Sequence, residues 1–402
     1  MKENIKPIAL YLPQYHEIEE NNQWWGKGFT EWTNVKKARP LFKAHYQPHI
    51  PQNGNYYDLS EPQVMSEQAA LAKAFGIYGF CFYHYWFNGK LLLEKPLHQL
   101  LSSGQPDFPF CLSWANENWT RTWDGEEKQV LMKQNYSLDD DRQHIRYLMP
   151  FFKDPRYIKM EGKPVFLMYR SELHPDIQEA TKIWREEAKK AGFPDLYLIR
   201  MENFKRDLDP ATHGFDAGME FAPDSKLRGK KVTKSKPVLH VINKLLHQSG
   251  IKRSNYYANG VFSFPDMVRN MIARPAPAYP YFRCICPSWD NSARRKKGAA
   301  VYMDATPSLF KEWAGKMMSY TRKHLPENKQ LLFINAWNEW GEGCHLEPDE
   351  KWGTAYLEAL QAALLEAASP EQEGALETKN AQEAAKKSTP PQASTPPTTQ
   401  TP

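Results

Sequence analysis

Cysteine is scarce: five residues in 402, at positions 81, 111, 284, 286 and 344, with no CxxC and no paired zinc-ligand spacing. This excludes a disulfide scaffold and a cysteine-based zinc module, and leaves small buried hydrophobes kept reduced. Long apolar runs are also lacking; none approaches the roughly 18 residues of a membrane helix. Near the N-terminus the run Ile8-Ala9-Leu10-Tyr11-Leu12 is too short for a secretory leader and ends at Pro13. A cytoplasmic protein is the expectation. No GxGxxG follows the first strand-like run, no P-loop occurs, and no repeat of about 20–50 residues is visible. These absences argue against a dinucleotide-binding doubly wound sheet, a nucleotide-phosphate cradle and a solenoid.

Aromatic side chains are what the sequence has in excess. It carries 13 Trp, 20 Tyr and 20 Phe within an otherwise ordinary composition of 41% hydrophobic and 25% charged residues. A core does not need that many indoles, so many are expected on a surface that binds something flat-faced. Charge is uneven. The net charge is +5, yet Lys226 to Lys297 holds 16 Lys and Arg against Asp266 and Asp290, a local +14 that leaves −9 for the rest. Residues 226–253 are read as a solvated basic loop with a second reading as peripheral membrane contact. No nucleic-acid fold motif accompanies it, so no nucleic acid partner is expected.

Residues 369–402 are rich in Pro, Thr, Gln and Ala and are expected to form a disordered tail. Residues 1–368 alternate apolar strand-like runs with helix-like stretches. The runs are Ile8–His16, Gly76–Phe87, Phe110–Glu117, Pro164–Arg170, Leu196–Met201, Phe215–Phe221, Phe282–Trp289 and Leu331–Trp337. Near-continuous apolarity suits parallel strands covered on both faces. Helices are expected over Glu61–Phe75 (capped by Ser60), Asp139–Phe152, Pro175–Ala191 and Pro307–Arg322. Eight such strands predict an α/β fold, a single (β/α)8 TIM barrel, with an unusually long connection from about Ala222 to Tyr281.

A barrel of this type places its site at the C-terminal strand ends. Ten of the 13 tryptophans follow those ends, mixed with Asn, Glu, Asp and His. Indole faces cover the C–H face of a pyranose while amides and carboxylates bond its hydroxyls, so a carbohydrate site is indicated. The sharpest constellation is Glu339-Trp340-Gly341-Glu342. Two carboxylates three apart on a glycine-containing loop can share one ligand, and proximity separates their pKa values into an acid and a base. Trp25, Glu31, Trp32, His84, Trp86, Trp114, Asn116, Glu117, Asn118, Trp119, Trp289, Asn338 and Trp340 are the candidate substrate-binding residues. Glu202, Glu220 and Asp290 are further candidates. No cofactor is called for. No metal site is expected either: Pro48 breaks any helix aligning His45 with His49, and Asp139-Asp140-Asp141 reads as a helix start rather than a DxD metal motif.

The segments LYLPQYH, WWGKGFTEWTNV, FYHYWF, WANENWTRTWDG and NAWNEWGEGCHLEPD, in that order across residues 6 to 360, closely resemble the WbsX-type proteins, grouped with the glycoside hydrolase family 99-like domains. The resemblance implies a (β/α)8 barrel. It also implies retaining cleavage of α-mannoside-like bonds, with two glutamates in an NEWxEG motif that Glu339 and Glu342 match. Glu339 would then be the base on the sugar 2-hydroxyl, giving a 1,2-anhydro sugar, and Glu342 the acid on the leaving oxygen. The WbsX branch is associated with glycosyl transfer and bacterial surface-polysaccharide (lipopolysaccharide, O-antigen) assembly. That implies an oligosaccharide or polysaccharide substrate, which can be lipid-linked. The competing readings are a glycosyltransferase acting on a lipid-linked acceptor and a carbohydrate-binding protein without catalysis.

Overall fold

A computed structural model describes residues 5–121, 126–203, 205–232, 258–295 and 298–368. Eight parallel strands close into a barrel: β1 Lys6–Tyr11, β2 Gly79–Phe87, β3 Phe110–Trp114, β4 Lys163–Met168, β5 Tyr197–Glu202, β6 Ala217–Glu220, β7 in two pieces (Tyr281–Phe282 and Cys284–Ile285), and β8 Leu331–Ile334. Neighbours in sequence are neighbours in the sheet. The circle is completed by β1 against β8 (Ile8 opposite Phe333), by the first piece of β7 against β6 (Gly218 opposite Tyr281), and by its second piece against β8 (Cys284 opposite Phe333). The break in β7 is Arg283, whose buried guanidinium pairs with Glu220 on β6 at 3.0 Å.

The helices are α1 Glu19–Trp25 and α2 Glu31–Lys37 in the first loop, then α3 Pro62–Ala74, α4 Lys95–Ser103, α5 Leu138–Lys153, α6 Ile177–Lys190, α7 Phe264–Ala273, α8 Pro307–His324 and α9 Ala355–Ala368. Helices α3 to α8 each cover a strand crossover and α9 follows β8; the departure is between β5 and β6, where the described residues hold only the short 3-10 turn Pro210–His213. The sequence expectation of a barrel holds, and each predicted run overlaps its strand, although β1, β4 and β7 begin one or two residues earlier and β5 ends one residue later. Several runs overran the C-terminal end: the first extended to His16 although β1 stops at Tyr11. Burial explains this, since Leu12, Tyr15 and Trp337 stay buried after the ladder ends. Helix α3 starts at Pro62 with Glu61, not Ser60, as its N-cap; proline's fixed φ favours that first-turn position.

All five cysteines are free and buried. Among the described residues no helix is long and apolar enough to cross a membrane. Most of the basic segment, residues 233–257, lies outside the described residues, as do the tail 369–402, Trp123 and Asp124.

Candidate active site

The C-terminal mouth of the barrel holds a pocket of about 260 Å³. Its walls come from nearly every strand end: Leu12 and Gln14 after β1, Tyr83 and Tyr85 on β2, Glu117 and Asn118 after β3, Tyr169 after β4, Phe221 after β6, Arg294 after β7, and Glu339 and Glu342 after β8. The antiparallel strands Trp119–Arg121 and Glu126–Met132 add Trp119, Thr120 and Leu131, and α1 adds Trp25.

Both glutamates of the paired-carboxylate motif face this pocket and are tied to one guanidinium. Arg294 donates from Nη2 to Glu339 Oε2 at 2.7 Å and lies 3.0 Å through Nη1 from Glu342 Oε1. Its Nε donates to Glu31 Oε1 at 2.7 Å. Three carboxylates thus share one cation, an arrangement that leaves net negative charge in a buried place. Burial, reinforced by Glu339 and Glu31 and opposed by Arg294, pushes the Glu342 carboxyl up to about 8. Glu342 is therefore protonated at neutral pH, the state a general acid needs. Burial also raises Glu31, against the pull of Arg294.

The loop carrying the pair is built for close approach. Asn338–Glu339 pairs antiparallel with Cys344–His345, and Trp340–Glu342 forms one 3-10 turn between them. A Cβ on Gly341 would fall 1.7 Å from Glu31 Oε1 and 2.8 Å from Arg294 Nε, so only glycine lets the backbone pass over that ion pair. Gly343 closes the turn at φ +55°, with Asp290 against it. The β7 loop holds the turn from the other side: Asp290 N donates to Glu342 O at 2.6 Å, and the Asp290 carboxylate accepts from His45 at 2.6 Å and Gln47 at 2.8 Å. Gly341→Ala is expected to lose about 1–3 kcal/mol of stability by overpacking, with activity falling alongside. Gly315→Ala, in open space within α8, gains about 0.5–1 kcal/mol as its control. Urea unfolding of the two variants tests the contrast.

The sequence candidates divide sharply. Trp25, Glu117, Asn118 and Trp119 line the pocket with Glu339 and Glu342. The others do not line it, and most of their side chains are bonded into the scaffold. Trp32 donates to Tyr57 O, Trp86 to Asp140, Trp114 to Trp86 O and Trp340 to Glu347; all four are buried. A wide barrel mouth must be filled with large rings, and each indole N–H then needs a buried acceptor. Asn338 bridges β8 to β1 through both directions of a hydrogen-bonded pair with Leu12, at 2.7 and 3.0 Å. Asn116 spends its amide on Tyr136 and the Arg170 backbone. His84 packs on His144, 3.0 Å between ring nitrogens, and burial drops it to about 3. Glu31 lies wholly buried beneath Gly341, behind Arg294. Trp289 is half-buried and away from the pocket walls. Glu202 and Glu220 belong to a buried ion network with Arg200, Arg274 and Arg283, and Asp290 supports the glutamate turn. Asp139, Asp140 and Asp141 occupy the first turn of α5.

Sequence reasoning missed Tyr83, Tyr85, Arg294, Tyr169, Gln14 and Phe221. The tyrosines were within reach. Side chains alternate along a strand, so in Tyr83-His84-Tyr85-Trp86 one pair faces the pocket and the other faces away. Arg294 had no local signal, because it stands at the head of a basic run.

Comparison with known proteins bears on this site. Residues 7–360 match the family described as Glycosyltransferase WbsX. The proteins described as "Uncharacterized protein WxcX" from two strains of Xanthomonas campestris pv. campestris are each 38% identical over 360 residues, 90% of this chain. The chain spans about half, 50%, of the length of these curated relatives. Among solved structures, a "Glycoside hydrolase-like protein" superposes with a TM-score of 0.57 at 14% identity, covering 90% of this chain and 94% of that one. The GH99 endo-alpha-mannosidase from Bacteroides thetaiotaomicron does so with a TM-score of 0.54 at 13% identity, covering 90% and 96%. These structural likenesses show a shared fold, and the match over nearly the whole barrel, which takes in the glutamate turn, shows that the chain belongs to the WbsX glycosyltransferase family.

Proposed function

We propose that this chain acts on glycans, breaking an α-mannoside-like bond with retention and passing the sugar to water or to another sugar. The observation that carries the reading is the state of the pair at the barrel mouth. Glu342 is held protonated by burial, while Glu339 beside it is charge-paired to Arg294. In this reading Glu339 takes the proton of the sugar 2-hydroxyl as that oxygen attacks the anomeric carbon, and Glu342 gives its proton to the departing oxygen. A 1,2-anhydro sugar results. Glu342, now a carboxylate, takes a proton from the incoming water or hydroxyl, which opens the three-membered ring as Glu339 returns its proton to the 2-oxygen. Trp25 and Trp119 supply apolar faces, and Glu117 and Asn118 supply polar groups for hydroxyls.

Transfer to a lipid-linked acceptor in surface-polysaccharide assembly is the second reading, favoured by the family's own description. Mass spectrometry of products from α-linked manno-oligosaccharides and bacterial polysaccharides, with and without sugar nucleotides, separates the two. Shortened products without nucleotide support cleavage. Extension that requires a nucleotide overturns it.

The pH dependence has a definite sign. Activity needs Glu342 protonated, so it is expected to fall as pH rises through about 8. A rate that keeps rising through that range would exclude Glu342 as the acid.

A further inference from the structure

We propose that His49, His345 and Asp349 form a buried site for a divalent transition-metal ion of the zinc class, set behind the glutamate turn. His49 Nδ1 and His345 Nε2 lie 2.9 Å apart, and Asp349 Oδ2 is 3.9 Å from His345 Nε2. One ligand atom from each residue falls within 4.8 Å of the others, and all three residues are buried. Two imidazoles and a carboxylate are a donor set that suits zinc and its first-row neighbours. In a tetrahedral site with metal–nitrogen bonds of about 2.0–2.1 Å, adjacent donor atoms are about 3.3 Å apart. Against that spacing the nitrogens, 2.9 Å apart, need to open by about 0.4 Å, and the Asp349 oxygen, 3.9 Å from His345 Nε2, needs to approach it by about 0.6 Å, with a larger adjustment toward His49, whose ligand atom lies within 4.8 Å.

Two further observations support a ligand here. First, the rings are already oriented. His345 Nδ1 is 2.9 Å from the Glu347 carbonyl, which can only accept. The proton therefore sits on Nδ1, and the Nε2 lone pair points at His49 and Asp349. This is the outer-shell pattern that holds metal-binding histidines. Second, among the described residues no lysine or arginine forms an ion pair with Asp349; its ion-pair neighbour is His345. Backbone N–H groups of Lys351 and Trp352 and the Tyr46 hydroxyl bond the carboxylate. A buried carboxylate facing two imidazoles, with no lysine or arginine paired to it among the described residues, lacks the cation that would make the cluster favourable.

The position gives such an ion a role. His345 stacks on the Trp340 indole with centroids 3.6 Å apart, and Trp340 stands between Glu339 and Glu342. His49 belongs to the long loop after β1. The metal would clip that loop to the turn that carries the carboxylates. It is a structural ion, apart from the pocket, and the inference does not depend on which glycan reaction the pocket performs.

The test uses the full chain, stripped with a chelator and titrated with Zn²⁺ and, separately, Co²⁺. About one equivalent of zinc should survive desalting, with a rise of about 5 °C or more in Tm. Cobalt should give the visible absorption of a low-coordinate site without thiolate charge transfer. His49→Gln and Asp349→Asn should retain the fold by circular dichroism yet lose both the retained zinc and the Tm rise. Wild-type protein that keeps no zinc and melts at the same temperature with and without it overturns the proposal, leaving a plain His–His hydrogen bond. So does undiminished zinc in both variants, which would place the metal on others of the 12 histidines.

Discussion

Glu342→Gln should lower kcat on natural glycans by on the order of 100- to 10,000-fold, the range for losing a positioned proton donor. The glutamine keeps the size and the contact with Arg294 but cannot give a proton. The loss should shrink on a substrate whose leaving group needs none, such as a dinitrophenyl glycoside. The alkaline limb near pH 8 should disappear with the carboxyl that causes it. Glu339→Gln should be equally slow and should not be rescued, because its proton comes from the sugar and not from the leaving group. Equal rescue of both variants would refute the assignment of acid and base. Side-by-side kcat values on the two substrate types measure it.

Arg294→Met should be the most damaging single change outside the carboxylates. It leaves Glu31, Glu339 and Glu342 facing one another in a buried space with no cation. Removing one partner from a buried ion pair typically costs about 3–5 kcal/mol. The signs are fixed by what Arg294 does in the native protein, where it pulls Glu342 and Glu31 down against burial. Without it both carboxyls rise further. A carboxyl raised in the folded state contributes stability while it stays protonated, and that contribution is lost as pH rises through its folded value. The variant should therefore lose most stability near pH 8 and recover part of it near pH 5.5. Adding Glu31→Gln should restore some stability at the higher pH. Urea unfolding at the two pH values checks this; a pH-independent loss would mean that packing, and not charge, is what Arg294 supplies.

The tryptophan-rich motifs show how far sequence patterns reach. Counting indoles at strand ends pointed to the barrel mouth that holds the pocket, because strand runs and their order are local properties. It could not separate an indole that meets solvent from one that fills the mouth. Trp119 and Trp114 lie five residues apart in one motif; one lines the pocket and the other is sealed against Trp86. Which way a ring turns depends on the strand it leaves and the acceptor waiting for its N–H.

The sequence alone determined the barrel and its strand order, and it singled out the strand-end mouth and the glutamate pair as the candidate site. Each of these rests on periodicity or on residues three apart, so chain-local information suffices. The tertiary structure alone decided the rest. It brought Arg294 onto carboxylates 263 and 45 residues away in sequence, and set His49 against His345, 296 residues on. It also raised the Glu342 carboxyl, through desolvation and the neighbouring Glu339 and Glu31. Burial and long-range pairing are properties of the closed barrel, and no spacing along the chain encodes them.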